Sequence, residues 1–162
     1  MKILAIQNKM GIGDSVIFLP FIKAISKKFG CPISLLVKES SKADQYLKET
    51  NYIDQIINLK KNDNNDGILG SIKLATKLRK QNFEKVFIFN SSLRFNLVSK
   101  LAGIKQIYQY PLFKKKEQHI IEAAKSLIKK NLNIEVNENP EIYISETLVK
   151  LSYKKLNIKN DE

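Results

Sequence analysis

Cysteine and histidine each occur once in this chain, as Cys31 and His119, and arginine only twice, as Arg79 and Arg94. A lone cysteine excludes an internal disulfide framework and suits a reducing compartment, where Cys31 is expected to be a buried bystander. One histidine, one cysteine and no clustered carboxylates make no ligand set, so neither a metal nor another resident cofactor is expected. No apolar run reaches the roughly eighteen residues of a membrane-spanning helix. The N-terminus also lacks the charged-then-apolar pattern of a secretory signal. The protein is therefore expected in the cytoplasm.

The scarcity of arginine also bears on the charge. Basic residues number 28 against 16 acidic ones, a formal charge of +12, yet 26 of the 28 are lysine. Base reading and base stacking draw on arginine and interleaved aromatics, and no basic helix here carries that mixture. Nucleic acid is not the expected partner. The charge points instead to anionic partners in general, including phospholipid headgroups and phosphorylated glycans.

What is present is an apolar fraction of 43% in 162 residues, enough for one domain with a core of its own. The chain is organised around its first stretch, residues 2–29. A short apolar run (Ile3, Leu4, Ala5, Ile6) meets a turn, Asn8-Lys9-Met10-Gly11-Ile12-Gly13-Asp14, and then one long helical pattern through Val16, Ile17, Phe18, Pro20, Phe21, Ile22, Ala24, Ile25 and Phe29. That is the opening βα unit of a parallel sheet, whose first loop faces the ligand crevice. Gly11 and Gly13 are expected to let the backbone turn tightly, and Asp14 to stand at the cap or in the first turn of the helix.

Further strands are predicted over residues 32–37, 53–59 and 86–89, with brief ones at 107–108 and 142–144. Helical segments lie between them: a short one through Tyr46 and Leu47, one marked by Ile68, Ile72, Leu74, Ala75 and Leu78, one by Leu97, Val98, Leu101 and Ala102, and one from His119 to Leu132. A last amphipathic segment through Leu148, Leu151 and Leu156 has Ser145 as its cap. Residues 60–67 (KKNDNNDG) and 110–117, with Lys114-Lys115-Lys116, are expected to be loops, the latter a possible contact with an anionic membrane surface. The fold class is thus α/β: a doubly wound, mostly parallel, Rossmann-like sheet. Asn90-Ser91-Ser92-Leu93-Arg94 follows its strand much as Gly11 to Asp14 follows the first, and both loops belong at the carboxyl edge.

Gly11-Ile12-Gly13-Asp14-Ser15-Val16 overlaps a dinucleotide fingerprint, with Glu39 placed as the ribose acid, but Val16 stands at the third glycine and Asp14 where pyrophosphate would sit. A phosphate-binding GxxxxGK[ST] loop is absent. Four segments, in order, resemble the ADP-heptose:lipopolysaccharide heptosyltransferases, glycosyltransferase family nine of GT-B type. Ile12-Gly13-Asp14-Ser15 with Pro20 is similar to the family's Leu-Gly-Asp-Val and following proline; residues 51–56 (NYIDQI) resemble its "NPYIDEVI"; residues 89–94 (FNSSLR) with Ala102-Gly103 resemble its "DLQGSLRS…LAG"; and His119-Ile120-Ile121-Glu122 resembles its "HxVE". Ser15 in place of valine, Asn90-Ser91 in place of Gln-Gly, and Ala123 in place of a basic residue depart from the pattern.

The resemblance implies a Rossmann-like acceptor-binding domain over residues 1–145, and over 146–162 a helix or linker toward a second domain that family members have and this sequence does not reach. It implies inverting transfer of a sugar from a nucleotide-diphosphate donor such as ADP-heptose to an anionic, lipid-linked glycan acceptor in lipopolysaccharide core synthesis, at the inner face of the cytoplasmic membrane. No metal is implied. Asp14 would be the catalytic base, and Lys9, Gly11, Gly13, Ser92, Arg94 and His119 would bind the acceptor, Arg94 clamping its carboxylate or phosphate. The residues alone leave other readings open: Asp14 as a plain helix-cap residue, His119 as a structural imidazole, Lys9 and Arg94 as surface cations, and the chain as a non-catalytic glycan- or partner-binding half-domain or a nucleotide-cofactor domain.

Overall fold

The structure is a computed structural model that describes residues 1–9, 11–60, 67–111 and 119–156. Five strands, β1 (Ile3–Gln7), β2 (Ile33–Lys38), β3 (Ile53–Leu59), β4 (Lys85–Ile88) and β5 (Gln106–Gln109), form one all-parallel sheet in the order β3-β2-β1-β4-β5. The central strand β1 is buried along its whole length, as a strand covered on both faces must be. Because side chains alternate, its apolar run serves two cores. Ile3 and Ala5 join Phe87 and Phe89 under α2 (Leu19–Phe29) and α6 (Ile120–Leu132), while Leu4 and Ile6 join Val86 and Ile88 under α4 (Gly67–Arg79) and α5 (Leu93–Leu101).

The predicted first helix is two. It is broken at Phe18 into α1 (Ile12–Ile17) and α2. Pro20 has no N–H to give the carbonyl of Val16, and its ring would strike that carbonyl, so the chain restarts from Phe18, whose carbonyl accepts from the Phe21 and Ile22 amides, both at 3.1 Å. Gly30 closes α2 at φ 62°, the left-handed position where glycine carries no penalty. Residues 142–144 are exposed coil rather than the predicted strand. In α4 and α5, Ile68, Ile72, Leu97 and Leu101 face out; the buried sides are Gly70, Ser71, Leu74, Ala75 and Leu78 on α4, and Phe95, Val98 and Ser99 on α5. Cys31 is half-buried rather than buried. Ser145 does cap α7 (Glu146–Leu156), its Oγ accepting from the Leu148 amide at 3.3 Å, and Glu49 holds that cap by two hydrogen bonds of 3.0 Å. The short α3 (Ala43–Tyr46) lies between β2 and β3. The loop expectations at 61–66 and 112–118, the Lys114 to Lys116 run included, lie outside the described residues.

Between α6 and α7 an irregular strap is tied to α2 by Glu138, which accepts from Lys23 (3.1 Å) and Lys27 (2.9 Å), and by Glu141 with Lys23 (3.3 Å). The two lysines hold the Glu138 carboxyl below its ordinary value of 4.5. A carboxyl depressed in the folded state adds stability above its unfolded pKa, and that contribution is lost as pH falls through the folded value. Acid titration followed by amide NMR is expected to release residues 137–141 from α2 only below pH 4.5, with β1 still intact. Release at higher pH would contradict the pairing.

Candidate active site at the carboxyl edge of the sheet

The strand order reverses between β1 and β4, and helices leave these two strands toward opposite faces, the arrangement in which open α/β sheets take ligands in a crevice beyond the carboxyl ends of the strands. Amide side chains join the strand ends there. Asn90, just past β4, donates from Nδ2 to Asn8 Oδ1, just past β1, at 3.0 Å, and accepts the Ser92 amide at 2.9 Å. Gln109, the last residue of β5, donates from Nε2 to the carbonyls of Asn90 (3.1 Å) and Ser92 (2.9 Å), and receives Asn96 from α5 at 2.7 Å. Three strand ends and the start of α5 are thereby held in one arrangement.

On the β1 side stands the first turn of α1. Gly11 is its N-cap and Asp14 its third residue; Asp14 Oδ2 accepts the Gly11 amide at 3.3 Å. Gln7 is buried at the end of β1 and donates to the Asp14 carbonyl at 3.2 Å, which fixes the height of the turn above the sheet. Its own Oε1 is buried without a partner among the described residues. Ser15 Oγ donates to the Gly11 carbonyl at 3.3 Å, and Tyr46 of α3 faces Ser15, burial raising the phenol pKa against the opposing effect of that serine. Asp14 as a residue is half-buried.

Neither glycine is there for backbone freedom, and only Gly11 lies close against the Asp14 carboxylate. Gly11 is extended (φ −91°, ψ 155°), and Gly13 lies within the helix without a positive φ. A Cβ at Gly11 would stand 3.2 Å from Asp14 Oδ2 and push the carboxylate aside; one at Gly13 would meet nothing within 4 Å and project into the open edge. Glycine inside a helix costs about 1 kcal/mol relative to alanine. Gly13→Ala is therefore expected to stabilise the fold by up to that amount while weakening ligand binding at the edge. Equal or tighter ligand binding by the stabilised variant, read by calorimetry, would contradict that placement.

The other expected site residues are distributed around this centre. Lys9 is exposed beside Asn8. Ser92 caps α5 through its backbone and belongs to the amide network. Arg94 donates from Nε to Ser71 Oγ of α4 at 3.2 Å and lies 5.6 Å from the Phe95 ring, so it joins the α4–α5 side of the crevice. His119 is the N-cap of α6, its Nδ1 accepting the Ile121 amide at 3.4 Å, a structural use of the imidazole. Gln7 and Gln109 went unnoticed in the sequence, and Asn8 and Asn90 were placed in the two loops without a role. Their shared signal is position, each being the last residue of a parallel strand or within two residues after it.

A five-stranded, all-parallel sheet with helices on both faces and a crevice at the β1–β4 switch defines a Rossmann-like domain of the GT-B N-terminal kind. Among solved structures the chain is similar to E. coli ADP-heptose lps heptosyltransferase II (16% identity, TM-score 0.70, 99% of this chain and 52% of that one). It is likewise similar to a glycosyl transferase of family 9 from Veillonella parvula DSM 2008 (15%, 0.69, 98% and 50%). A third is E. coli heptosyltransferase WaaC with ADP-2-deoxy-2-fluoro heptose (13%, 0.60, 99% and 56%). The chain spans about half the length of these proteins and shares the fold of that half. No family model and no curated protein matches the sequence.

Proposed function

We propose that this chain is the acceptor-side half of a heptosyltransferase-like glycosyltransferase, acting on an anionic lipid-linked glycan at the cytoplasmic membrane face. The observation that carries this reading is the half-buried Asp14 on a first turn framed by Gly11 and Gly13, beside the amide network that joins the strand ends at the switch point.

In the reaction the acceptor hydroxyl oxygen forms a bond to the anomeric carbon of the sugar as the bond from that carbon to the diphosphate oxygen breaks. Configuration inverts, the nucleoside diphosphate leaves with the bonding electrons, and the hydroxyl proton passes to the Asp14 carboxylate. The amides of Asn8, Asn90 and Gln109 position the crevice walls, and Lys9 adds positive field for an anionic acceptor. The donor, a nucleotide sugar such as ADP-heptose, would be held by a second domain.

The test joins residues 1–156 to the donor-binding half of a structural neighbour and measures transfer from ADP-heptose to a phosphorylated lipid-linked glycan. Product that depends on both halves is the expected result; neither transfer nor acceptor binding would overturn the proposal. The half-length match also supports a second reading, a glycan-binding half-domain that transfers nothing. Acceptor binding without transfer in the joined protein would favour it.

A further inference from the structure

The outer layer formed by α4 and α5 is apolar where a solvent-facing layer should be polar. Ile68 and Leu69 are 81% and 83% exposed, and Ile72, Leu93, Leu97 and Leu101 between 40% and 59%. Leu93, Leu97 and Leu101 recur every four residues and so form one stripe along α5; Ile68 and Ile72 do the same on α4. Two polar ties bring the stripes side by side: Arg94 Nε to Ser71 Oγ at the amino ends of the helices, and Arg79 to the Leu101 carbonyl at the other end. The result is a two-helix apolar surface, and surfaces of this kind mark interaction sites.

Charge selects the occupant. Lys73, Lys77, Arg79, Arg94 and Lys100 lie on these two helices, which carry no aspartate or glutamate. An apolar stripe accompanied by cations alone suits an interface between hydrocarbon and anionic headgroups better than a typical protein partner, which presents both signs. Position agrees. The amino ends of α4 and α5, with Leu69 and Leu93, lie at the carboxyl edge of the sheet beside Ser92 and the crevice.

We propose that α4 and α5 form a membrane-docking face that seats the domain on an anionic lipid bilayer, with the crevice mouth at the lipid surface. The choice of a lipid surface rests on the acceptor reading above, but the test needs no sugar, so failure of one is distinguishable from failure of the other. The protein is mixed with vesicles of phosphatidylglycerol and phosphatidylethanolamine, or of phosphatidylcholine alone, and bound protein is measured by co-sedimentation.

Binding to the anionic vesicles only is expected. Ile72→Glu/Leu97→Glu should weaken it by about tenfold or more, and Lys77→Glu/Lys100→Glu by roughly fivefold for each cation removed. These positions are exposed, so both variants should keep the parent melting temperature, which circular dichroism checks. Binding that survives both variants, or no binding by the parent protein, would overturn the proposal. So would self-association of the parent, seen by sedimentation and abolished by Ile72→Glu/Leu97→Glu, because the face would then belong to a second copy of the chain.

Discussion

Replacing Asp14 by asparagine in the joined two-half protein is expected to lower sugar transfer by about 10²–10⁴-fold, the range for loss of a positioned general base. The proposal gives Asp14 two separable tasks. Its Oδ2 accepts the Gly11 amide, and an asparagine side chain retains an oxygen for that bond. It does not retain a carboxylate able to take the acceptor proton. Thermal stability should therefore stay near that of the parent while turnover collapses. Asp14→Ala loses both tasks and should also cost roughly 0.5–2 kcal/mol of stability, as other capping losses do. Unchanged turnover in the asparagine variant would leave Asp14 with the cap alone.

The second large effect lies directly beneath the crevice. Phe89 is 2% exposed at the carboxyl end of β4, with ring centroids of Phe18 at 5.1 Å, Tyr110 at 6.2 Å and Phe21 at 6.4 Å. It joins the helix restart at Phe18 to the sheet and to the end of β5, and it immediately precedes Asn90. Phe89→Ala should cost about 3–5 kcal/mol in denaturant unfolding, since the emptied volume is lined by rings that cannot all close on it. Tyr110 adds to the constraint, its hydroxyl already buried without a partner among the described residues and its pKa raised by that burial. A loss below about 1 kcal/mol, the scale of a single trimmed methyl, would mean that the aromatic cluster does not anchor this edge.

Much of the sheet was legible because buried parallel strands are runs of β-formers. Residues 3–6, 33–37 and 86–89 show this, and the polar turns after β1 and β4 mark the carboxyl edge. The halves of the first helix were not separable by periodicity, since Phe18 and Pro20 both fit an apolar face; the break depends on a missing N–H and a ring clash. Residues 142–144 read as a strand by composition, but strand formation depends on a pairing edge rather than on propensity alone. The outward set of α4 and α5 was not told apart from the inward one for a related reason. Ile68, Ile72, Leu97 and Leu101 satisfy helical spacing, and spacing does not say whether the partner of an apolar stripe is the core or something outside it.

At the candidate site, the first-turn position of Asp14 was legible because a carboxylate following two glycines at a helix start is conspicuous. The roles of the glycines were not, because spare volume beside Asp14 is a property of the folded turn. The amide network was missed as well. Asn8, Asn90 and Gln109 are unremarkable in sequence and acquire meaning only when strand order places their strand ends side by side.

The most direct measurement is a titration of the isotopically labelled 162-residue protein with a water-soluble glycan bearing carboxylate and phosphate groups, followed by amide NMR. The account predicts saturable shifts centred on Gly11, Gly13, Asp14, Asn90 and Ser92, reduced by Gly13→Ala. No response at these amides, or a saturable response confined to the α2 strap or to α7, would contradict it.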